Sequence, residues 1–330
     1  MVESPFPGGG EKGVHGPVAL SGVSQPPSVS PTAPHPARLR VGVVGAGKVG
    51  AVLGAALHRA GHEVVAVSAV SQASLDRAAE LLPGVPVRTV PEVVAESDAE
   101  LVILAVPDDA LADLARGLST TGAWQAGQII AHTSGRHGAA VLEPVRRHHS
   151  FPVAIHPAMT FTGTTMDLDR LHDCCFGVTA DEQILPIASA LVLDMGAEPV
   201  TIAEEDRVAY HCALAHGSNY LVTLTSQAME ILDAAGVEEP AHVLRPLLYA
   251  ALDNALRLRD AALTGPVARG DVGTVSTHLD VLSERVPDVL ATYRALATAT
   301  AARAVESGRL RPDLGGPVLD LLSEKRRNDP

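Results

Sequence analysis

The sequence contains few aromatic residues, with 1 Trp, 4 Tyr and 4 Phe among 330 positions. Proteins that bind single-stranded nucleic acid stack bases on aromatic side chains, and this chain offers few of them. It also lacks an excess of positive charge, since 38 acidic residues outnumber 25 basic ones and give a formal net charge of −13. These shortages exclude a broad nucleic-acid surface and argue against binding to anionic membranes. We therefore expect neither nucleic acid nor a membrane as a partner.

Cysteine is scarce as well, with three residues at positions 174, 175 and 212. Their spacing contains no CxxC motif and no paired framework, which favours a reducing compartment. No apolar run approaches the roughly 18–20 residues of a membrane span. The N terminus also lacks the basic start and long apolar core of a secretory signal. The sequence therefore predicts a cytoplasmic globular protein, and its histidines show no metal-ligand spacing.

The composition changes twice along the chain. Residues 1–37 hold eight Pro, six Gly and five Ser, which predicts a disordered N-terminal tail. From 38 to 203, apolar strand-like runs alternate with helical segments, a pattern typical of a parallel sheet covered on both faces. From 204 to 330 only helical patterns follow. The sequence thus predicts an α/β domain over 38–203 and an all-helical domain over 204–330.

The individual elements are predicted from apolar spacing and from Gly and Pro positions. The predicted strands are 39–45, 63–68, 85–90, 101–106, 128–132, 153–156, 175–179 and 199–202. The predicted helices are 48–60, 74–82, 91–97, 108–118, 204–235, 240–262, 274–283 and 287–307, with a loop at 263–271. The helix over 204–235 is apolar nearly all round between Val208 and Leu224, so we expect it to be buried, either centrally or in a homodimer interface.

A glycine motif follows the first predicted strand and opens the first helix. In GAGKVG, Gly45 permits a tight turn, Gly47 lets the backbone approach a pyrophosphate, and Gly50 allows close packing of helix on sheet. Lys48 and Val49 stand at the helix N terminus, where amide N–H groups and the helix dipole favour a phosphate. The sequence predicts a dinucleotide site here; the alternative is a Gly-rich turn without a ligand.

The end of the second predicted strand favours NADP over NAD. An NAD site usually has Asp or Glu there to hold the ribose diol, and this chain has no acid before Asp76. Ser68, Ser71 and Ser74 offer hydroxyl donors to a 2′-phosphate, and Arg77 offers a counter-charge. Alternatively, these serines cap the next helix.

Polar residues suited to substrate binding and proton transfer fall in four short segments. Two of them follow predicted strands, where open α/β sheets bind ligands, the third lies on the long helix, and the fourth is the loop at 263–271. The candidates are His132, Ser134 and Gly135; His156; Arg207, His211 and Asn219; and Arg269 with Asp271. The alternatives are ordinary structural roles: hydrogen-bonded strand-end histidines, a cap or inter-subunit contact for Arg207, and an Arg269–Asp271 ion pair.

Several motifs together carry a family resemblance. They are AVPDD at 105–109, HTSG at 132–135, HPAMTF at 156–161, YHCALAHGSNYL at 210–221 and LTGPVARGD at 263–271, with His278 beyond. With these motifs the sequence resembles the Rossmann-like family whose C-terminal part is the domain of unknown function 2520 (DUF2520). This family is similar to the β-hydroxyacid and 6-phosphogluconate dehydrogenase group. The resemblance implies a Rossmann-type, mostly parallel sheet followed by a helical domain of the 6-phosphogluconate dehydrogenase C-terminal-like type.

The resemblance also implies an activity. Some members of the family are NADPH-dependent ketopantoate reductases, so we expect reduction of a small anionic 2-oxo acid, first ketopantoate to pantoate in pantothenate biosynthesis. The alternatives are a β-hydroxyacid dehydrogenase, an imine or F420-linked reductase, and a non-catalytic NADP-binding sensor.

Residue roles follow from this expectation. Related dehydrogenases carry Lys and Asn where this chain has Arg207 and His211, so Arg207 is expected to hold substrate charge and His211 to donate the proton. Asn219 or His156 is expected to assist His211. The remaining assignments concern the two ligands: Val106, Pro107 and His132 are expected beside the nicotinamide, and Ser134, Gly135, Arg269 and Asp271 beside the substrate carboxylate.

Overall fold

The computed structural model describes residues 38–323, and the predicted N-terminal tail lies outside these residues. The strands of the described part are β1 Arg40–Val44, β2 Glu63–Ser68, β3 Leu101–Leu104, β4 Ile129–His132, β5 Phe151–Pro157, β6 Cys175–Ala180 and β7 Glu198–Thr201. The helices are α1 Lys48–Arg59, α2 Gln72–Leu81, α3 Asp108–Thr120, α4 Glu143–Arg146, α5 Met166–Arg170, α6 Leu185–Asp194, α7 Arg207–Ala234, α8 Pro240–Leu258, α9 Gly265–Arg269, α10 Val272–Arg285, α11 Pro287–Glu306 and α12 Pro312–Ser323.

The seven strands form one sheet in the order β2-β1-β3-β4-β5-β6-β7. Strands β2, β1, β3, β4 and β5 are parallel, β6 is antiparallel to β5, and β7 is parallel to β6. The predicted mostly parallel sheet is therefore confirmed. The carboxyl ends of β1, β3, β4 and β5 meet at one edge, the edge at which open α/β sheets bind ligands.

Helices cover both faces of this sheet, which is why its central strands are apolar throughout. Every residue of β3 and β4 is buried. On one face Leu53 and Leu57 of α1 join a core cluster with Leu191 of α6. On the other face Leu111 and Leu118 of α3 belong to a second cluster. Burying each such leucine contributes about 1.5–3 kcal/mol, so these contacts hold the sheet edge in place.

The predicted strand over 85–90 is wrong. This segment forms a single parallel bridge, between Val87 and Val67, and no strand. Pro86 lacks a backbone N–H and therefore cannot donate to a ladder. Val87 is 47% exposed at the outer side of β2, the edge strand. An exposed apolar run interrupted by proline gains too little from burial to extend the sheet.

The chain beyond β7 is helical, as predicted, but three details differ. Residues 263–271 contain the short helix α9, and α12 follows the last helix that the sequence predicts. Helices α9 to α12 share a compact core that includes Val275, Leu279 and Val318. Within this chain α7 is not buried, because Arg207 is its only buried residue. The apolar residues of α7 therefore lie on an exposed surface of the single chain.

We find no helix in residues 38–323 with the length and apolar character needed to cross a membrane.

Candidate active site

The glycine motif forms the tight turn between β1 and α1. Gly45 has φ +97°, a backbone conformation that side chains disfavour, and a Cβ at Gly50 would overlap the Gly45 carbonyl oxygen. By contrast, a Cβ at Gly47 would meet no atom within 4 Å. Gly47 is also the N-cap of α1, where no side chain accepts from the first-turn amides. The turn thus leaves open space at a helix N terminus, an arrangement that fits a dinucleotide pyrophosphate.

The serines after β2 support this turn and the next helix. The buried Ser68 hydroxyl accepts a hydrogen bond of 2.9 Å from the Gly45 amide. Ser71 is the N-cap of α2 and accepts from the Ser74 amide. The capping alternative is therefore correct for Ser71, and Ser68 acts on the glycine turn. Arg77 donates to the Ala46 carbonyl oxygen over 3.1 Å, which brings a positive charge beside the turn.

The loop after β5 folds back onto the same turn. A Cβ at Gly163 would lie 2.6 Å from Arg77 Nε and 2.9 Å from Lys48 Cγ, so only glycine fits between them. The buried carboxylate of Asp167 accepts hydrogen bonds from the amides of Thr162 and Gly163. Burial, which would raise the pKa of Asp167, is outweighed by these hydrogen bonds, which lower it. Asp167 therefore fixes this loop against Lys48 and Arg77.

Val106 and Pro107 continue the same edge of the sheet. Val106 Cγ1 lies 3.7 Å from the position of a Cβ on Gly45, and Pro107 is the exposed N-cap of α3. Both residues thus follow β3 beside the glycine turn, where the sequence placed the nicotinamide.

The three predicted catalytic residues line one pocket. His156 at the end of β5 and His211 and Asn219 of α7 border a cavity of about 180 Å³, together with Ser218. The rings of His156 and His211 meet edge to face with centroids 6.3 Å apart. Both rings lie against Gly135, whose hypothetical Cβ would be 2.7 Å from His211 Cδ2 and 2.9 Å from His156 Nε2. Because Gly135 has no side chain, both histidine rings can lie this close to its backbone.

His132 does not reach the cleft surface, contrary to prediction. It is 0% exposed, its Nδ1 accepts from the Ser134 amide, and its Nε2 donates to the Gly138 carbonyl. Burial lowers its pKa to about 4, which keeps the ring neutral. The buried Ser134 hydroxyl in turn accepts from the His137 amide. Both residues stabilise the turn after β4, and Gly135 is the member of this turn that lies against the rings of His156 and His211.

Arg207, for which the sequence predicted a substrate role, does not border the histidine pocket. The side chain is 1% exposed and its guanidinium points into the sheet. Nε donates to Thr179 Oγ1 over 2.7 Å, and Nη2 donates to the carbonyl oxygens of Ala154 and Gly177. Burial lowers the pKa of Arg207. Arg207 therefore joins α7 to β5 and β6.

Arg269 and Asp271 do not line the histidine pocket. Asp271 is the N-cap of α10, and its carboxylate accepts from the amide and the hydroxyl of Thr274. Arg269 is an exposed residue at the end of α9. Within one chain, neither residue has the place beside a substrate that the sequence assigned to it.

A cation that sequence reasoning missed lies beside His211. Arg136 follows Gly135 directly and shares a second cavity of about 500 Å³ with His137 and His211. Its Nε lies 3.4 Å from an Asp108 carboxylate oxygen, and its side chain is 46% exposed. The HTSG motif could have revealed Arg136, because a cation directly after a strand end lies at the edge of the sheet where ligands bind. Within residues 38–323, no His, Cys, Asp and Glu cluster has the geometry of a metal site.

Two family models match the chain. A Rossmann-like domain matches residues 23–157, and the domain of unknown function DUF2520 matches residues 174–300. Together they cover most of the sequence. The chain belongs to the family that joins a Rossmann-like domain to a DUF2520 domain.

Several solved structures share this fold. A provisionally named NADP oxidoreductase from Bacteroides fragilis is 23% identical with a TM-score of 0.67, over 80% of this chain and 98% of that one. An imine reductase from Pseudomonas sp. is 18% identical with a TM-score of 0.61, over 87% and 100%. An imine reductase from Myxococcus stipitatus in complex with NADP⁺ is 19% identical with a TM-score of 0.55, over 82% and 94%. At these identities the likeness shows the fold. No curated protein matches the sequence.

The candidate pocket lies where the two family domains meet. The Rossmann-like domain provides the glycine turn, Gly135 and His156, whereas the DUF2520 domain provides His211 and Asn219. Both domains therefore supply residues to a single site.

Proposed function

We propose that this protein is an NADPH-dependent oxidoreductase that reduces a small 2-oxo acid. The observation that carries this proposal is the open glycine turn over Gly47, at the same sheet edge as the pocket of His156 and His211. A helix N terminus with open space fits a pyrophosphate, and the adjoining pocket holds groups suited to proton transfer.

The residues of the site would have distinct roles in this reaction. The bound dinucleotide supplies the hydride, and its pyrophosphate would lie on the amides of Gly47, Lys48 and Val49. His211 donates the proton to the new hydroxyl oxygen, with Asn219 as a hydrogen-bonding partner of the substrate. Arg136 holds the substrate carboxylate, because it is the exposed cation that shares a cavity with His211.

We propose NADP as the preferred cofactor. No carboxylate lies between the end of β2 and Asp76, so a 2′-phosphate meets no repulsion directly after the strand. Arg77, which bonds the Ala46 carbonyl, supplies a positive charge close to the turn. F420 is a less favoured alternative, because the open glycine turn over Gly47 fits the pyrophosphate of a dinucleotide.

A second candidate is the reduction of a cyclic imine. It is supported by the fold neighbours named as imine reductases. The pocket serves either substrate class, since both carbonyl and imine reduction need one proton and one hydride. Ketopantoate is the first 2-oxo acid to test.

Oxidation of NADPH with ketopantoate, other 2-oxo acids and 1-pyrroline as substrates tests this proposal. We expect turnover with at least one 2-oxo acid and a higher kcat/KM with NADPH than with NADH. Turnover of 1-pyrroline alone would support the second candidate. Absence of turnover with every compound would contradict both.

We also propose that two copies form a dimer through α7 and α8. These helices expose large apolar side chains, including Val222 at 68%, Leu247 at 63%, Tyr249 at 67% and Leu256 at 76%. An apolar groove of about 350 Å³ runs between the two helices. A second copy covers such a face with identical apolar side chains, as twofold interfaces require.

The mass of the purified protein in solution tests this interface. We expect twice the chain mass for the wild type and a monomer for Leu256→Glu. Leu193→Glu on α6, also an exposed leucine at 61%, is the control that leaves the dimer intact. A monomeric wild type would contradict the proposal. We place the protein in the cytoplasm, in line with its three free cysteines.

A further inference from the structure

The histidine at the end of β5 is held by a tyrosine that has no part in the proposed proton transfer. Tyr210 directly precedes His211 on α7, and its hydroxyl oxygen lies 2.9 Å from Nδ1 of His156. The two rings meet edge to face, with centroids 5.6 Å apart and an interplanar angle of 87°. This contact joins the first turn of α7 to the strand end that borders the pocket.

Gly177 on β6 makes this contact possible. It lies opposite His156 in the antiparallel pair of β5 and β6. A Cβ at Gly177 would lie 2.8 Å from both Cζ and Oη of Tyr210, closer than non-bonded atoms approach. The Tyr210 ring therefore packs directly against the backbone of Gly177, and a larger residue at position 177 would displace the hydroxyl from His156.

His156 offers the acceptor for the Tyr210 hydroxyl proton. Burial raises the pKa of Tyr210, while the Arg207 guanidinium lowers it. Among residues 38–323, the Tyr210 hydroxyl has no hydrogen-bond partner other than Nδ1 of His156, so its proton is donated to this nitrogen. A neutral imidazole that accepts at Nδ1 carries its own proton at Nε2.

The surroundings of His156 keep its ring neutral. Burial, together with the positive charges of Arg207 and His211, lowers its pKa to about 4, although the Asp108 carboxylate acts in the opposite direction. Among residues 38–323, none accepts a hydrogen bond from Nε2 of His156. This nitrogen lies against Gly135, and the His156 side chain borders the pocket.

We propose that Tyr210 is a positioning residue that fixes His156 as the Nε2–H tautomer and so aims a neutral hydrogen-bond donor over Gly135. The group that this donor binds is an oxygen of the substrate carbonyl or carboxylate, because Nε2–H can only donate. The choice of substrate oxygen rests on the proposed reductase function, whereas the tautomer does not. His156 thereby orients the substrate, and His211 transfers the proton.

Nitrogen-15 NMR of the histidine side chains tests the tautomer without any substrate. His156→Gln identifies the resonances of His156 by their loss. We expect a single Nε2–H tautomer for wild-type His156 at pH 7 and a mixture of both tautomers in Tyr210→Phe. Tyr220→Phe is the matched control, because the exposed Tyr220 ring contacts His216 and leaves His156 unchanged. An Nδ1–H tautomer in the wild type, or an unchanged tautomer in Tyr210→Phe, would overturn the proposal.

Two substitutions of His156 extend the test to turnover. The amide nitrogen of Gln reaches the position of Nε2, whereas that of Asn reaches only Nδ1. We expect His156→Gln to retain kcat/KM within about tenfold and His156→Asn to lose about a hundredfold. Equal losses in both would overturn the role of Nε2. If no substrate turns over, the reductase proposal fails while the NMR result still decides the role of Tyr210.

Discussion

Arg207 Nε lies 2.7 Å from Thr179 Oγ1, so the first residue of the long helix α7 is bonded inside the sheet. Replacement by Met removes three buried hydrogen bonds, to Thr179 Oγ1 and to the carbonyl oxygens of Ala154 and Gly177. We expect Arg207→Met to lower the free energy of unfolding by about 2–3 kcal/mol in urea denaturation. Arg309→Met, at an exposed position, is the control with little effect. A variant of unchanged stability with a raised KM would instead support the substrate role that the sequence suggested.

Alanine substitutions of Gly47 and Gly50, at the start of α1, are expected to have opposite effects. Gly47→Ala adds a methyl group to open space, so we expect an unchanged melting temperature and NADPH affinity weaker by about tenfold or more. Gly50→Ala places the same group on the Gly45 carbonyl and lowers the melting temperature. Thermal unfolding and a fluorescence titration with NADPH measure both effects. If Gly47→Ala binds NADPH as tightly as the wild type, the pyrophosphate does not lie on this turn.

Arg136 and Arg269 form a matched pair for substrate charge. Arg136 shares a cavity with His211, whereas Arg269 is exposed at the end of α9. We expect Arg136→Gln to raise the KM for a 2-oxo acid by about tenfold or more, through loss of a charged hydrogen bond. Arg269→Gln serves as the control, with a KM close to that of the wild type. The reverse pattern in steady-state kinetics would restore the assignment made from the sequence.

The buried His132 predicts a loss of stability in acid. Burial lowers its folded-state pKa to about 4, below the ordinary 6.5, so the unfolded chain binds a proton first as the pH falls. This histidine therefore costs no stability above about pH 7, and its contribution declines from there towards pH 4. Between pH 7 and pH 5 we expect the wild type to lose about 2 kcal/mol more than His132→Asn in urea unfolding. Equal slopes in the wild type and His132→Asn would contradict the buried, neutral state of His132.

The sequence predicted those parts of the site that depend on local chain geometry. The roles of Gly45, Gly47 and Gly50 follow from a strand, a turn and a helix that are adjacent in the chain. The place of His156 was predictable because the carboxyl ends of parallel strands meet at one sheet edge. The other two members of the pocket, His211 and Asn219, lie on one helix, and their spacing along it let the sequence group them.

The errors arise where distant residues decide burial. From its place at the start of a predicted helix, Arg207 is expected to be an exposed cation. Its burial depends on acceptors on β5 and β6 that are 28 to 53 residues away in the chain. The position of His132 at a strand end suggests a ligand-binding residue. In the structure its Nε2 is instead bonded to the carbonyl of Gly138, which the sequence pattern does not reveal. The contact of Tyr210 with His156 depends on the absence of a side chain at Gly177, which no spacing rule reveals.

The most direct test of this account is an equilibrium titration of the wild-type protein with NADPH and with NADH, followed by calorimetry. We expect saturable binding of one NADPH per chain, tighter than that of NADH and weakened in Gly47→Ala. Absence of NADPH binding to the folded wild-type protein would contradict the proposed function.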